Sequence, residues 1–137
     1  MYNAAAPFPQ STRLGYYSFM ITPQNAMEPD PATRRAIELF LKEIAPRYDI
    51  AGAVLFGSRA RGDHQPDSDA DVAVILRGEK DNPMPIVSRM ADAAADVMLD
   101  TGILVQAWPI WLEDWEHPER SSNPPLVDNI RREGIAL

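Results

Sequence analysis

Residues 57–74 read GSRARGDHQPDSDADVAV and contain the most informative pattern in the chain. It begins with a Gly-Ser pair, has two arginines in a turn between Gly57 and Gly62, and then places three carboxylates within five residues. The apolar run VAVIL, residues 72–76, follows immediately and is typical of a buried strand. Because close carboxylates repel one another, such acids at the start of a buried strand indicate that a positive charge binds there.

The flanking sequence predicts a small α/β (α+β) domain in which a short mixed sheet packs against helices. Asp30-Pro31 is a strong helix start, and Pro46 ends the amphipathic pattern that follows it. Gly102 and Gly134 close two later helical patterns. The predicted order is helix, strand, strand, helix, strand, helix, with strands at 50–56, 69–76 and 103–108 and helices that end near residues 45, 101 and 133.

Residues 30–137 form the predicted domain, and residues 1–29 are an expected loop-like or disordered extension. The first 27 residues contain no acid and three prolines, although Gly15–Ile21 could add a short edge strand. Met27 is an alternative to Met1 as the natural start. The domain boundary therefore falls just before the Asp30 helix cap.

Composition limits the classes of function. The chain of 137 residues has a net charge of −7 and contains no cysteine. An acidic surface disfavours nucleic-acid binding, which depends on displacing counterions with basic groups. The sequence has no apolar run of about 18 residues, and we expect a cytoplasmic protein without a membrane segment.

The two strand-start aspartates are candidate metal ligands. Side chains alternate along a strand, so Asp69 and Asp71 share one face about 6.5–7 Å apart. Such a pair suits a hard divalent cation, most often magnesium. Gly57 permits a close backbone approach, and Ser58 offers a hydroxyl and an N–H to an anion. A nucleotide that bridges phosphate and metal is the simplest interpretation.

Two other phosphate or metal motifs fail on spacing. A Walker-type loop requires Gly-Lys-Ser/Thr, whereas Gly62 is followed by Asp63. An EF-hand that starts at Asp67 would place Val72 at its obligatory glycine and Gly78 at its final glutamate. The alternative of a solvated acidic turn without a ligand is disfavoured, because the glycine turn, the spacing of the aspartates and the strand alternation all indicate a binding site.

Gly57-Ser58, ten residues and then Asp69-x-Asp71 resembles the signature of the DNA polymerase β nucleotidyltransferase superfamily, in particular its minimal single-domain members. The resemblance covers roughly residues 31–110. It implies the minimal nucleotidyltransferase fold and magnesium-dependent transfer of a nucleoside monophosphate from an NTP, with ATP expected, to an acceptor hydroxyl. It further implies that Gly57 and Ser58 hold the triphosphate and that Asp69 and Asp71 bind a two-metal site.

The two arginines of the turn are assigned less directly. Arg59 is included among the nucleotide-binding candidates, since it could reach a phosphate. For Arg61 we favour a structural role, in which it pairs with Asp63 or Asp67 and fixes the loop.

The resemblance also implies a third carboxylate on the strand at 103–108, but that strand reads ILVQAW and contains no acid. Gln106 is the only polar side chain there, and we expect it beside the aspartate pair in the position of the missing acid. An amide cannot accept the proton of an acceptor hydroxyl, so the expected activity is weak.

Three classes of function therefore remain. They are an active nucleotidyltransferase that modifies a protein or small molecule, a catalytically impaired nucleotide-binding antitoxin subunit, and an adaptor that keeps only the fold. The resemblance suggests a helical partner of the HEPN type, and a homo-oligomer is the alternative. We also expect part of the tryptophan cluster, Trp108, Trp111 and Trp115, to contribute to a self- or partner interface.

Overall fold

A computed structural model describes residues 28–137 of the chain. The predictions for the N-terminal extension, namely the loop-like or disordered character of its first 27 residues, the edge strand at Gly15–Ile21 and the alternative start at Met27, lie outside the described residues. Within them, the first helix begins where the sequence predicts. The Asp30 carboxylate accepts a hydrogen bond from the Thr33 N–H at 2.9 Å, and Pro31 occupies the first helical turn.

The sheet has four strands in the order β3-β2-β1-β4. Strands β1 and β2 are antiparallel, β2 and β3 are parallel, and β4 adds antiparallel to the other edge of β1. The predicted mixed sheet is therefore confirmed. The strands are β1 (Ile50–Phe56), β2 (Ala70–Leu76), β3 (Val105–Trp111) and β4 (Ile135–Ala136).

Helices cover both faces of this sheet. The α-helices are α1 (Pro31–Ile44), α2 (Ser58–Arg61), α3 (Met84–Thr101), α4 (Leu112–Glu116) and α5 (Pro124–Glu133), and short 3-10 turns follow α1 at Ala45–Arg47 and α4 at Pro118–Arg120. Each long helix ends or begins at a residue that favours a boundary. For example, Gly102 caps the C-terminal end of α3, and its φ of 78° is readily adopted by glycine.

The alternation of side chains along each strand divides the core into two layers. One layer joins Val72 and Val74 of β2 to the apolar faces of α1 and α3. The other joins Ala73 and Ile75 to Trp115 and to the inner face of α5. Because side chains alternate along β2, Asp71 lies on the same face as Ala73 and Ile75, near the C-terminal end of α5.

The strand bounds differ in part from the sequence prediction, and one strand was not predicted. Strand β2 begins at Ala70, so Asp69 precedes it, and β3 begins at Val105, two residues later than predicted. Strand β3 continues to Trp111 through Pro109, because β3 is an edge strand and a residue there can lack an N–H on its open side. Strand β4 has only two residues and carries no periodic pattern that a sequence could reveal. None of the helices in residues 28–137 has the length and apolar character that a membrane span requires.

Candidate functional site

The Gly57-Ser58 turn lies directly against Asp71. In the β1–β2 pairing Phe56 is the partner of Asp71, so the turn that follows β1 passes over the Asp71 side chain. Gly57 has φ 76° and ψ −158°, which essentially only glycine adopts. A Cβ there would overlap Asp71 Oδ2 and lie 3.3 Å from Asp71 Cγ. The close backbone approach expected for Gly57 is thus an approach to this carboxylate.

The two candidate metal ligands differ in environment. Asp71 is half-buried within β2, whereas Asp69 precedes the strand and is exposed. Burial is the main cause that raises the pKa of Asp71 above its usual 3.8, and the negative charges of Asp69 and Glu133 add to it. A hydrogen bond from Trp108 and the charge of Arg61 oppose the rise. A cation at this position would relieve both the desolvation and the repulsion.

Gln106 is next to Asp71 on the neighbouring strand. The parallel β2–β3 register makes Asp71 and Gln106 partners, and paired residues project to the same face of a sheet. The Gln106 side chain is exposed, so its amide is open to solvent and to a ligand. The position where relatives are expected to have an acid is therefore adjacent to Asp71 and holds an amide.

Trp108 also reaches Asp71. Its indole N–H, the only polar group of that side chain, acts to lower the pKa of Asp71, and its ring meets Phe56 edge-on with centroids 6.1 Å apart. Trp108 is 36% exposed, whereas Trp115 is buried in the core. The predicted tryptophan cluster is thus divided, and a partner interface for the remaining two stays a prediction.

Arg59 holds the loop between α2 and β2. Its side chain is buried, and all three guanidinium nitrogens donate to protein acceptors. These are the Ser68 carbonyl at 2.9 Å, the Thr33 hydroxyl at 2.9 Å and the Pro66 carbonyl at 3.0 Å. A phosphate contact by Arg59, as included among the sequence predictions, would have to share or displace these bonds.

Arg61 and His64 have partners at the two ends of the same loop. Arg61 pairs with Asp63 at 3.2 Å, one of the two pairings predicted for it. His64 Nε2 lies 3.2 Å from Asp30 Oδ2 and so ties the loop to the start of α1. The loop that delivers Asp69 to the site is therefore fixed to α1 and α2 rather than held by the sheet alone.

Glu133 contacts the Gly57 turn and is not among the candidates that the sequence indicated. Its Oε1 accepts the Gly57 N–H at 3.1 Å and lies 3.3 Å from Arg61 Nη1. The contact joins residues 76 positions apart in the sequence. It depends on the pairing of β4 with β1, and no sequence pattern predicts β4. The one signal available was Gly134, which follows the last helix and indicates that the chain turns there.

The described residues contain no group of three or more His, Cys, Asp or Glu side chains arranged to hold a metal ion. Asp69 and Asp71 could supply two ligands, and magnesium is commonly bound through one or two carboxylates plus substrate phosphates and water. The donor set therefore fits a metal that arrives with a nucleotide. A cavity of about 230 Å³ lies elsewhere, beside Trp111 and Asp114, and shares no residue with this site.

Comparisons with known proteins identify the family of the chain. Residues 34–123, about two thirds of the chain, match the model of the nucleotidyltransferase domain family. The structure is also similar to the crystal structure of a candidate nucleotidyltransferase from Sulfolobus solfataricus, with 19% sequence identity, a TM-score of 0.41, and coverage of 77% of this chain and 81% of that one. No curated protein matches the chain significantly. The chain belongs to the nucleotidyltransferase domain family.

Proposed function

We propose that this domain binds a magnesium–NTP complex at the Gly57–Asp71 site and transfers the nucleoside monophosphate to an acceptor hydroxyl. In this reaction the hydroxyl oxygen bonds to the α-phosphorus, the bond from the α-phosphorus to the bridging oxygen of the β-phosphate breaks, pyrophosphate leaves, and the hydroxyl proton passes to solvent. Bound magnesium would neutralise the triphosphate and the leaving pyrophosphate. Family membership supports the reaction class, and the assignment of residues to it is our proposal.

One observation carries the proposal. The antiparallel pairing of Phe56 with Asp71 joins the candidate phosphate turn and the candidate metal ligands into one site. The two halves of the sequence motif, separated by ten residues, therefore meet around a single small volume. In that volume Gly57 and Ser58 would contact the triphosphate, and Asp69 and Asp71 would hold the metal.

Removal of the proton from the acceptor hydroxyl is the catalytic step that we expect to be slow. Gln106 stands next to Asp71 and can orient a hydroxyl or contribute a neutral oxygen ligand, but it cannot take a proton. This observation favours a second candidate function, a nucleotide-binding subunit of a two-protein complex that transfers slowly or not at all. An antitoxin-like role with a HEPN-type helical partner is the form of that candidate suggested by the sequence resemblance.

Several details remain predictions. ATP as the preferred nucleotide, a protein or small molecule as the acceptor, and a cytoplasmic location are expectations from the sequence. The net charge of −7 continues to disfavour a nucleic-acid acceptor. A homo-oligomer is the alternative to the helical partner.

Calorimetric titration of MgATP into the wild type and the Asp69→Asn/Asp71→Asn double variant tests the proposed site. We expect magnesium-dependent binding by the wild type and its loss in the variant, which should remain folded because the repulsion between the two carboxylates is removed. The Asp92→Asn/Asp100→Asn variant makes the same charge change on exposed positions of α3 and should bind normally. Equal binding by all three proteins would refute the site.

Turnover separates the two candidate functions. Labelled NTP incubated with the wild type and a co-purified partner should yield pyrophosphate if the domain is an active transferase. Tight binding without pyrophosphate release would favour the nucleotide-binding subunit.

A further inference from the structure

Two donors beside the proposed triphosphate site, the Gly57 N–H and the Arg61 guanidinium, are already engaged by a carboxylate of the same chain. Glu133 Oε1 accepts the Gly57 N–H at 3.1 Å and approaches Arg61 Nη1 at 3.3 Å. The Glu133 side chain is 20% exposed, so most of it lies within the protein while its carboxylate borders the site. Proteins bind phosphate oxygens with the same kinds of donor, a backbone N–H and a guanidinium, that surround this carboxylate oxygen.

The fold holds Glu133 in this place. Strand β4 pairs Ile135 with Leu55 and Ala136 with Val54, and continuing that antiparallel register by two residues brings Glu133 opposite Gly57. Gly134 allows the approach, because a Cβ there would lie 2.5 Å from the Ile130 carbonyl oxygen and would overlap Val54 Cγ1. The pairing of β4 and the close approach at Gly134 therefore fix the backbone of Glu133 near Gly57.

We infer that Glu133 is a further residue of the nucleotide site, which stands in for a phosphate in the free protein and is exchanged for the triphosphate on binding. The inference rests on the proposed function, since it assigns the Gly57 turn to the triphosphate. A phosphate oxygen and the Glu133 carboxylate cannot both accept the single Gly57 N–H in a good geometry. Binding therefore requires the carboxylate to move away and Arg61 to be shared with the incoming anion.

The exchange gives the site a preference among anions. A ligand gains the Gly57 N–H only by displacing a charged acceptor, and charged acceptors make hydrogen bonds roughly twice as strong as neutral ones. A magnesium-bound triphosphate has several anionic oxygens with which to compete, whereas a monophosphate has few. Glu133 also adds negative charge beside Asp71, which the same magnesium would offset. Glu133 is thus expected to favour triphosphates over smaller phosphates.

The test compares the wild type with Glu133→Gln by calorimetric titration of tripolyphosphate and of MgATP at fixed magnesium. Glutamine is nearly isosteric and can still accept the Gly57 N–H, but it is a weaker competitor and carries no charge. We expect Glu133→Gln to bind tripolyphosphate about fivefold to tenfold more tightly. Thermal stability should change in the opposite direction, because the ion pair with Arg61 is lost. A purely structural role would weaken binding and stability together.

Asp128→Asn is the matched control, since it removes one exposed charge from the same helix without touching the turn. Its affinity should stay within about twofold of the wild type. If the wild type binds MgATP and Glu133→Gln binds tripolyphosphate equally or less tightly, the inference is wrong and the proposed function stands. If neither protein binds MgATP or tripolyphosphate, the proposed function itself is wrong.

A measurement on the unmodified protein covers the case in which Glu133→Gln does not fold. The carboxyl carbon resonance of Glu133 and the amide resonance of Gly57 should both shift when tripolyphosphate is added to the wild type. A shift at Gly57 with an unchanged Glu133 resonance would overturn the exchange.

Discussion

Replacing Gly57 with alanine tests the close contact between the turn and Asp71. The backbone at φ 76° and ψ −158° lies in a region essentially restricted to glycine, which costs any other residue about 1–3 kcal/mol. The new Cβ also overlaps Asp71 Oδ2, so the carboxylate must leave its rotamer at about 0.5–1.5 kcal/mol. We expect Gly57→Ala to lower the free energy of unfolding by about 2–4 kcal/mol.

Gly62→Ala is the matched control for this prediction. Gly62 also has a positive φ, of 82°, but nothing lies within 4 Å of an added Cβ. Its replacement should therefore cost only the backbone strain, about 1–2 kcal/mol. Urea denaturation at pH 7 without magnesium gives both values, and similar m-values would show that the unfolded states are comparable.

A double-mutant cycle isolates the contact with Asp71. If the excess cost of Gly57→Ala arises from the carboxylate, then it should shrink by about 0.5–1.5 kcal/mol when Asp71 is replaced by alanine. Equal costs for Gly57→Ala and Gly62→Ala, together with no coupling to Asp71, would show that the turn is not packed against this carboxylate.

Three further predictions concern the site and its support. Asp71→Asn should stabilise the metal-free protein at pH 7. This advantage should fade as the pH falls through the raised pKa of Asp71 toward 3.8, because protonation of Asp71 then favours the folded wild type. Denaturation of both proteins at several pH values measures the difference in stability. Gly134→Ala should destabilise by about 1–3 kcal/mol, since its Cβ would meet Val54 and the Ile130 carbonyl, and a urea titration that shows no loss would contradict the packing. Gln106→Asp should raise transfer about 10²–10⁴-fold if the missing base limits catalysis, and an unchanged rate of pyrophosphate release at saturating magnesium would show that it does not.

The sequence was sufficient for features that depend on local physics. Asp30 and Pro31 define the start of α1 because a side-chain oxygen and a fixed φ act on the adjacent backbone. The apolar run after Asp71 predicts that this residue lies at the start of β2, whereas Asp69 precedes the strand and its common face with Asp71 stays a prediction. A βαβ connection makes the adjacency of β2 and β3 the simplest arrangement, and the position of Gln106 beside the aspartates was expected from the family resemblance; the structure pairs it with Asp71.

Other features were decided only by the tertiary structure. The sequence made Arg59 a nucleotide-binding candidate and gave Arg61 a structural role, yet Arg59 is buried among loop carbonyls and Arg61 contacts Glu133. Glu133 reaches Gly57 because a two-residue strand pairs with β1 and Gly134 lets the backbones approach. Such contacts join residues far apart in the chain, and their formation depends on the packing of the whole sheet. No local pattern of hydrophobicity, charge or turn residues carries that information, because the same local sequence would be compatible with several long-range partners.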